Sequence, residues 1–264
     1  MPMHIVNCNE STSSARKRPA PTARYRGGAV TDLTRRFMLK ATVACIGAAS
    51  AARAQPESAI RQPDPGRGAG IAVQAVAPGV LACAQCHARN GGGADGSGAF
   101  PRIAGQSAWY LAKQLRDYAS GVRLNAVMAP IAKALSSEDI ADVTAYYASA
   151  NAPYPPLARP DPALIKRGGQ LAKAGNAARE LQSCDNCHGP GGAGEPPAIP
   201  YLAGQYARYI ATQLTMWQRG LRDKSPNAMA DVAKRLDTQE IAAVAAYFQQ
   251  VRAPVRMEAS ARAP

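Results

Sequence analysis

Histidine, cysteine and aromatic residues are scarce in this chain of 264 residues, which has three His, six Cys and three Phe. The weakly apolar run 41–52 falls well short of the roughly twenty residues that span a bilayer. No run alternates convincingly with period two, so we expect little or no β-sheet. An apolar content of 47% is nevertheless enough for packed cores and excludes a disordered chain. A core so short of aromatic bulk would gain from a large planar cofactor.

Positive charge is concentrated near the N-terminus. Of the formal net charge of +13, the first 54 residues carry nine Lys or Arg against two acidic residues, which leaves +6 for the remainder. The remaining Lys and Arg are scattered and form no stripe of the kind that follows a phosphate backbone. We therefore expect a solvated surface and no nucleic-acid partner.

The first 54 residues have the pattern of an export signal. Residues 34–40 resemble the twin-arginine motif, the run 41–52 follows, and Ala52 and Ala54 match the small-x-small cleavage signature. A membrane-anchoring helix is the structural alternative, and Cys45 is a poor lipoprotein acceptor. The pattern predicts a periplasmic protein that does not span the membrane once mature, although peripheral association is allowed. It leaves the twin-arginine and general secretory routes open. Cleavage would leave four Cys and two His.

Those Cys and His residues form two Cys-x-x-Cys-His pentapeptides, at 83–87 and at 184–188. Flanking positions repeat with them: Pro101 with Pro200, Ala104-Gly105-Gln106 with Ala203-Gly204-Gln205, Gly121 with Gly220, and Met128 with Met229. Although the offset changes between 101 and 99 along the chain, 41 residues separate His from Met in both units. Compensating changes of this kind indicate two copies of one fold.

Each unit is predicted to be helical. Apolar positions at i, i+4 and i+7 mark one face, Gly121 and Gly220 suit helix C-caps, and capped helix starts are expected at Ser136 and Asp237. The predicted organisation is an export signal at 1–54, a flexible lead-in at 55–70, domain 1 at 71–150, a Pro-rich linker at 151–162, domain 2 at 163–255 and a tail at 256–264.

The repeated pentapeptide has several chemical interpretations. Two disulfides, or one zinc site made of both Cys pairs, suit an oxidising compartment, but neither explains why His follows the second Cys twice. A thioredoxin-type motif needs a βαβ context, which the pattern lacks. Covalent haem attachment explains it, because two thiols add across the porphyrin vinyl groups and the adjacent imidazole binds the iron. We therefore predict two covalently bound haem c groups, on Cys83, Cys86, Cys184 and Cys187.

The iron then needs a sixth ligand or keeps an open site. Both His of the mature chain are used, Met216 lies within an apolar helix and Met257 in the tail, which leaves Met128 and Met229. A single Met is more often core filling, but two at the same spacing from two His favour ligation. His/Met coordination raises the reduction potential and closes the iron to substrate. The predicted metal ligands are His87, Met128, His188 and Met229.

These motifs together resemble the dihaem class I cytochromes c of the cytochrome c4 family, over roughly 71–255. The resemblance implies an all-α fold of two tandem haem domains. It also implies that the Pro101 and Pro200 carbonyls accept the imidazole N–H. It suggests haem-propionate neighbours, namely Arg102, Trp109, Tyr110, Arg123 and Arg222. The chain departs from the family pattern at 70–81, where Pro78-Gly79 should break the first helix.

The leading functional hypothesis is a periplasmic electron carrier between a respiratory donor and a terminal oxidase or reductase. Its partners would be redox proteins that dock briefly. A dihaem peroxidase needs an iron that opens to peroxide, and some thiosulfate-oxidising dihaem enzymes use a distal Cys, which the mature chain lacks. A dedicated subunit of a dehydrogenase or oxidase would use the same haem chemistry and stays open as an alternative.

Overall fold

A computed structural model describes residues 61–93, 97–155, 159–222 and 228–252. The predicted export signal at 1–54, the first residues of the lead-in and the tail at 256–264 lie outside these ranges. No helix in the described part of the chain is long and apolar enough to cross a membrane.

The described residues form helices and no strand, as predicted. Their helices are α1 (Pro65–Val73), α2 (Cys83–His87), α3 (Ala108–Ser120), α4 (Met128–Lys133), α5 (Ser137–Ser149), α6 (Pro162–Ala174), α7 (Asp185–His188), α8 (Ala207–Gln218), α9 (Ala228–Arg235) and α10 (Thr238–Gln250). Two 3-10 turns occur at Ala177–Arg179 and Pro190–Gly192. Isolated antiparallel bridges stand in place of a sheet, among them one between Arg123 and Arg222.

The two halves repeat one arrangement. In the N-terminal half α1 packs on α5, and in the C-terminal half α6 packs on α10. The close approach depends on glycine in both cases, because a Cβ at Gly68 would overlap the carbonyl of Asp142 and one at Gly168 would overlap that of Ala243. The prediction of two tandem all-α domains is confirmed.

The predicted helix ends are also confirmed. Ser136 and Asp237 form complete capping boxes with the third residue of α5 and α10. Gly121 ends α3 in the left-handed conformation with a φ of 78°. The predicted apolar faces of α5 and α10 are buried, and they consist of Ile140, Val143, Tyr147, Ile241, Val244 and Phe248.

The predicted flexible lead-in is wrong for its last residues, because α1 begins at Pro65. The Asp64 side chain accepts hydrogen bonds from the backbone N–H groups of Gly66 and Arg67, and Pro65 occupies the first turn. A Gly- and Pro-rich stretch was therefore a capped helix whose glycine serves packing. Domain 1 accordingly starts earlier than 71, and the break expected at 70–81 leaves α1 intact as far as Val73.

The hydrophobic cores of the halves differ in size. In the C-terminal half eleven buried residues form one cluster, which includes Leu171, Ile210 and Phe248. In the N-terminal half the buried cluster consists of Ala72, Val143 and Tyr147, with partly buried residues packed around it. The N-terminal half thus has less polypeptide core of its own.

Candidate haem-binding sites

Each pentapeptide forms a single helical turn, α2 or α7. One turn places thiols that are three residues apart on the same side and sets the following His beside them. His87 and His188 are buried, whereas the four thiols are partly exposed. The helix stops directly after the His in both halves, because Ala88 and Gly189 adopt positive φ values of 61° and 72°. Ala88 is a non-glycine residue in this region, which stores some backbone strain beside the site.

The proximal imidazoles are oriented by backbone carbonyls. The Nδ1 of His87 lies 3.1 Å from the Pro101 oxygen, and the Nδ1 of His188 lies 2.8 Å from the Pro200 oxygen. Donation from Nδ1–H leaves Nε2 as the free lone pair in each ring. Burial lowers the pKa of both His residues, and the carbonyl hydrogen bonds oppose it only in part. The rings are therefore neutral at pH 7 and can act as metal ligands.

The thiols form neither a disulfide nor a metal cluster. All four are free, and no group of three or more His, Cys, Asp or Glu in the described part of the chain could hold a metal ion together. The zinc interpretation needs both Cys pairs at one point, which the fold does not provide. Burial raises the pKa of Cys83, and that of Cys184 to about 11.

A cavity of about 630 Å³ reaches both pentapeptides. Its wall contains both proximal His, both Pro and both candidate Met residues, with apolar side chains such as Leu115, Ile131 and Val244 between them. Met128 begins α4 and Met229 lies in the first turn of α9. The fold thus brings the predicted ligands of each unit to the wall of one cavity.

The turn that delivers Met128 is fixed by a side chain. The Asn125 Oδ1 accepts hydrogen bonds from the backbone N–H groups of Val127, at 2.9 Å, and Met128, at 2.8 Å. This arrangement satisfies donors at the start of α4 that the helix itself leaves free. The corresponding turn before Met229 falls within 223–227, outside the described residues.

Two buried guanidinium groups meet where the halves join. Arg123 and Arg222 are only 2% and 6% exposed, and neither has an ion-pair partner among the described residues. Each crosses to the other half: Arg123 donates to the Tyr209 hydroxyl at 2.8 Å, and Arg222 donates to the Tyr110 hydroxyl at 2.9 Å. Gln114 and Gln213 accept from both guanidinium groups. Two buried positive charges without carboxylates favour an anionic ligand nearby.

Orphaned donors in the cavity wall fit a propionate-bearing porphyrin. The Arg123 Nε and the Trp217 Nε1 are buried without a hydrogen-bond partner, and both residues line the cavity. A buried N–H without an acceptor costs free energy, so these atoms fit a ligand that brings carboxylates. The walls are apolar elsewhere, as a macrocycle requires. The residues present therefore fit haem.

The propionate neighbours implied by the resemblance separate into two groups. Tyr110, Arg123 and Arg222 line the cavity, as expected. Trp109 is 48% exposed and is not among the lining residues. The Arg102 guanidinium lies at the contact between the halves, where it donates to the carbonyls of Ala104 and Ala152 and to the Tyr201 hydroxyl.

Four buried glutamines were missed as site residues. They are Gln106, Gln114, Gln205 and Gln213, and each makes hydrogen bonds that cross between the halves. The repeat contained the signal, since Gln106 matches Gln205 and Gln114 matches Gln213 at the offset of 99. An amide repeated at a position that packing alone would fill with an apolar residue indicates a specific polar contact.

Family models match both halves of the chain. The model described as cytochrome c matches residues 67–151, and the model described as cytochrome c oxidase, cbb3-type, subunit III matches residues 170–248. Among relatives, the thiosulfate dehydrogenase electron acceptor of Stutzerimonas stutzeri is 41% identical over 176 residues, 66% of this chain and 81% of the relative. Cytochrome c4 of Pseudomonas aeruginosa is 37% identical over 173 residues, 63% of this chain and 82% of the relative. The chain belongs to the dihaem class I cytochrome c4 family.

Solved structures agree with this membership. Reduced cytochrome c4 from Pseudomonas stutzeri has a TM-score of 0.62 at 32% identity, covering 72% of this chain and all of that one. An as-isolated thiosulfate dehydrogenase from Marichromatium purpuratum has a TM-score of 0.64 at 41% identity over 70% of this chain. The present chain spans only 40% of the length of that enzyme.

As a cytochrome c4 homologue with two Cys-x-x-Cys-His sites, this protein carries two covalently bound haem c groups and acts in electron transfer. The disulfide and zinc interpretations of its cysteines are therefore set aside.

Proposed function

We propose that this cytochrome c4-family protein is a periplasmic carrier that moves single electrons between a respiratory donor and a terminal oxidase or reductase. The observation that carries the proposal is the duplicated site. In each half a buried neutral His, oriented by a proline carbonyl, shares a cavity wall with a Met at the equivalent position. Such a pair of closed sites suits electron exchange rather than substrate turnover.

The same proposal assigns the residues around each haem. Cys83 and Cys86 attach one haem, and Cys184 and Cys187 attach the other. His87 with Met128, and His188 with Met229, are the axial ligands. When bound, haem supplies reversible one-electron exchange between its ferric and ferrous states. The chain fixes each imidazole through Pro101 or Pro200 and excludes water with its apolar walls.

Saturated iron distinguishes a carrier from a dihaem peroxidase. Replacing Met128 or Met229 with Ala removes one proposed thioether, so that haem alone should become high-spin and bind cyanide rapidly in the ferric state. Absorption spectroscopy of the two single variants measures the effect, with Met216→Ala as a control Met that lies on α8. If a Met variant keeps the wild-type low-spin spectrum, that residue is not the ligand. Peroxide turnover by the wild-type protein above that of an ordinary monohaem cytochrome c would favour an enzyme.

A narrower candidate is the electron acceptor of a thiosulfate dehydrogenase. Relatives of that name in Stutzerimonas stutzeri and Thiomonas intermedia are 41% and 37% identical to this chain, and each is covered over at least 80% of its length. A solved thiosulfate dehydrogenase also contains a region of this fold. Each haem would accept one of the electrons released when thiosulfate is oxidised.

Stopped-flow reduction of the ferric protein by such a dehydrogenase and thiosulfate tests this role. A dedicated acceptor should be reduced many times faster than an unrelated monohaem cytochrome c at equal concentration and salt. Equal rates would leave the general carrier as the function.

A further inference from the structure

The repeated Ala-Gly-Gln motif lies where the two halves of the molecule meet. Gln106 and Gln205 end the two copies, and their side chains are 6% and 5% exposed. Each amide reaches the backbone of the residue that follows the proximal proline in the other half. Gln205 reaches Arg102, which follows Pro101, and Gln106 reaches Tyr201, which follows Pro200.

Gln205 makes a two-point contact with Arg102. Its Oε1 accepts from the Arg102 backbone N–H at 2.9 Å, and its Nε2 donates to the Arg102 carbonyl at 2.8 Å. The Oε1 also accepts from the backbone N–H of Tyr206 at 3.1 Å, which fixes the orientation of the amide. This contact is buried, so its polar atoms depend on one another.

The Arg102 N–H and the Pro101 carbonyl belong to the same peptide group. A continuous chain therefore runs from His87 Nδ1–H to the Pro101 oxygen, through that peptide, and from the Arg102 N–H to the Gln205 Oε1. Acceptance at one end of a peptide polarises the other end, which strengthens the next hydrogen bond. An amide of the C-terminal half thus acts on the imidazole of the N-terminal half.

The mirror chain is longer in its final step. It runs from His188 through the Pro200–Tyr201 peptide to Gln106, and there both amide contacts measure 3.4 Å. The Gln106 Oε1 is held by its own neighbour, the Ser107 N–H, at 3.1 Å. The two sites are therefore connected reciprocally but unequally.

We propose that Gln205 and Gln106 are positioning residues, each of which tunes the haem of the opposite half through the peptide that holds the proximal His. The inference rests on the proposed ligation by His87 and His188. A stronger hydrogen bond from Nδ1–H makes the imidazole a more basic ligand and stabilises ferric iron. Loss of the glutamine weakens that bond and raises the reduction potential of the opposite haem.

The test uses the holoprotein with Gln205→Met and Gln106→Met, which keep the side-chain length and remove both hydrogen bonds. A redox titration followed by the hyperfine-shifted NMR signals of the ferric haem methyls reads the two haems separately. Gln205→Met should raise the potential of the Cys83/Cys86 haem and leave the other nearly unchanged. Gln106→Met should raise that of the Cys184/Cys187 haem by a smaller amount. Gln218→Met is the matched control, because Gln218 donates to two carbonyls, those of Ala233 and Leu236, within its own half.

Gln205→Glu provides a second variant that keeps an acceptor for the Arg102 N–H. It should hold the potential of the N-terminal haem at or below the wild-type value. The proposal is overturned if Gln205→Met shifts the haem of its own half as much as the opposite one, or if folded Gln205 variants shift neither haem. The wild-type spectrum is recorded first: without two sets of His/Met haem signals the proposed function itself fails, whatever the glutamine variants show.

Discussion

At the residue scale, the most unusual feature is the pair of buried arginines that lack carboxylate partners. Arg123 stacks over the Tyr118 ring at 4.5 Å and Arg222 over the Trp217 ring at 3.8 Å. Both guanidinium groups share the amide oxygens of Gln114 and Gln213. Positive charge at this position favours the ferrous state, because a reduced haem carries one more negative charge.

Replacement of Arg123 with Met should lower the reduction potential of the nearer haem. The change in free energy should be on the order of 1 kcal/mol, the scale of a partly screened charge interaction. Arg123→Lys keeps the charge and should retain most of the potential, although it loses the fork of hydrogen bonds. A redox titration of both variants measures this. An unchanged potential in Arg123→Met would show that the charge is not close enough to matter.

At the element scale, the packing of α1 on α5 depends on one glycine. A Cβ at Gly68 would overlap the carbonyl of Asp142, whereas Gly70 in the same helix has no atom within 4 Å of its hypothetical Cβ. Gly68→Ala should destabilise the holoprotein by about 3 kcal/mol because the helices must separate. Gly70→Ala is the matched control and should stabilise α1 by about 0.5–1 kcal/mol. Denaturant unfolding measures both changes, and equal effects would contradict the close approach.

A buried carboxylate anchors the start of the same helix. Asp142 is fully buried, and it accepts from the Arg61 and Arg67 guanidinium groups and from the backbone N–H of Asp64. Burial alone would raise the pKa of Asp142, but these hydrogen bonds outweigh it and lower the pKa. The equivalent residue in the C-terminal half is Ala243, so this anchor belongs to the N-terminal half alone.

The lowered pKa gives this anchor a definite pH dependence. A folded-state pKa below the unfolded one contributes stability above the unfolded value of about 4, and that contribution is lost as the pH falls through the folded pKa. Asp142→Asn should therefore cost about 1–3 kcal/mol at neutral pH. Its difference from wild type in unfolding free energy should shrink in acid below about pH 4. A difference that stays constant from neutral pH into acid would contradict the ionised anchor.

These elements also show what the sequence could predict. The repeat, the capping boxes at Ser136 and Asp237 and the apolar faces of α5 and α10 were readable because they are local patterns. The start of α1 was not, because its Gly and Pro residues are typical of coil and its helix is held by Asp142, distant in sequence. The roles of Gln106 and Gln205 also depend on contacts between halves, which no local pattern displays.

At the scale of the whole molecule, the two halves are joined by three sets of contacts. The arginine network lies beside the cavity, and the glutamine contacts lie behind the proximal histidines. The third set surrounds Tyr154 in the predicted linker, whose ring stacks on both Arg102 and Arg252. The Pro-rich composition indicated a semi-rigid connection, and the contacts of Tyr154 and of the buried Ala152 supply its anchoring. The halves can therefore hold two haems in a fixed relation.

The most direct test of the account is a spectroelectrochemical titration of the purified holoprotein that follows the weak ferric absorption band of methionine–iron ligation. If both haems are closed by Met128 and Met229, the band should report two haem equivalents and disappear in two one-electron steps at positive potentials, with no high-spin component. A band worth one haem, or a high-spin haem at any potential, would contradict the closed carrier and point to an iron that opens to substrate.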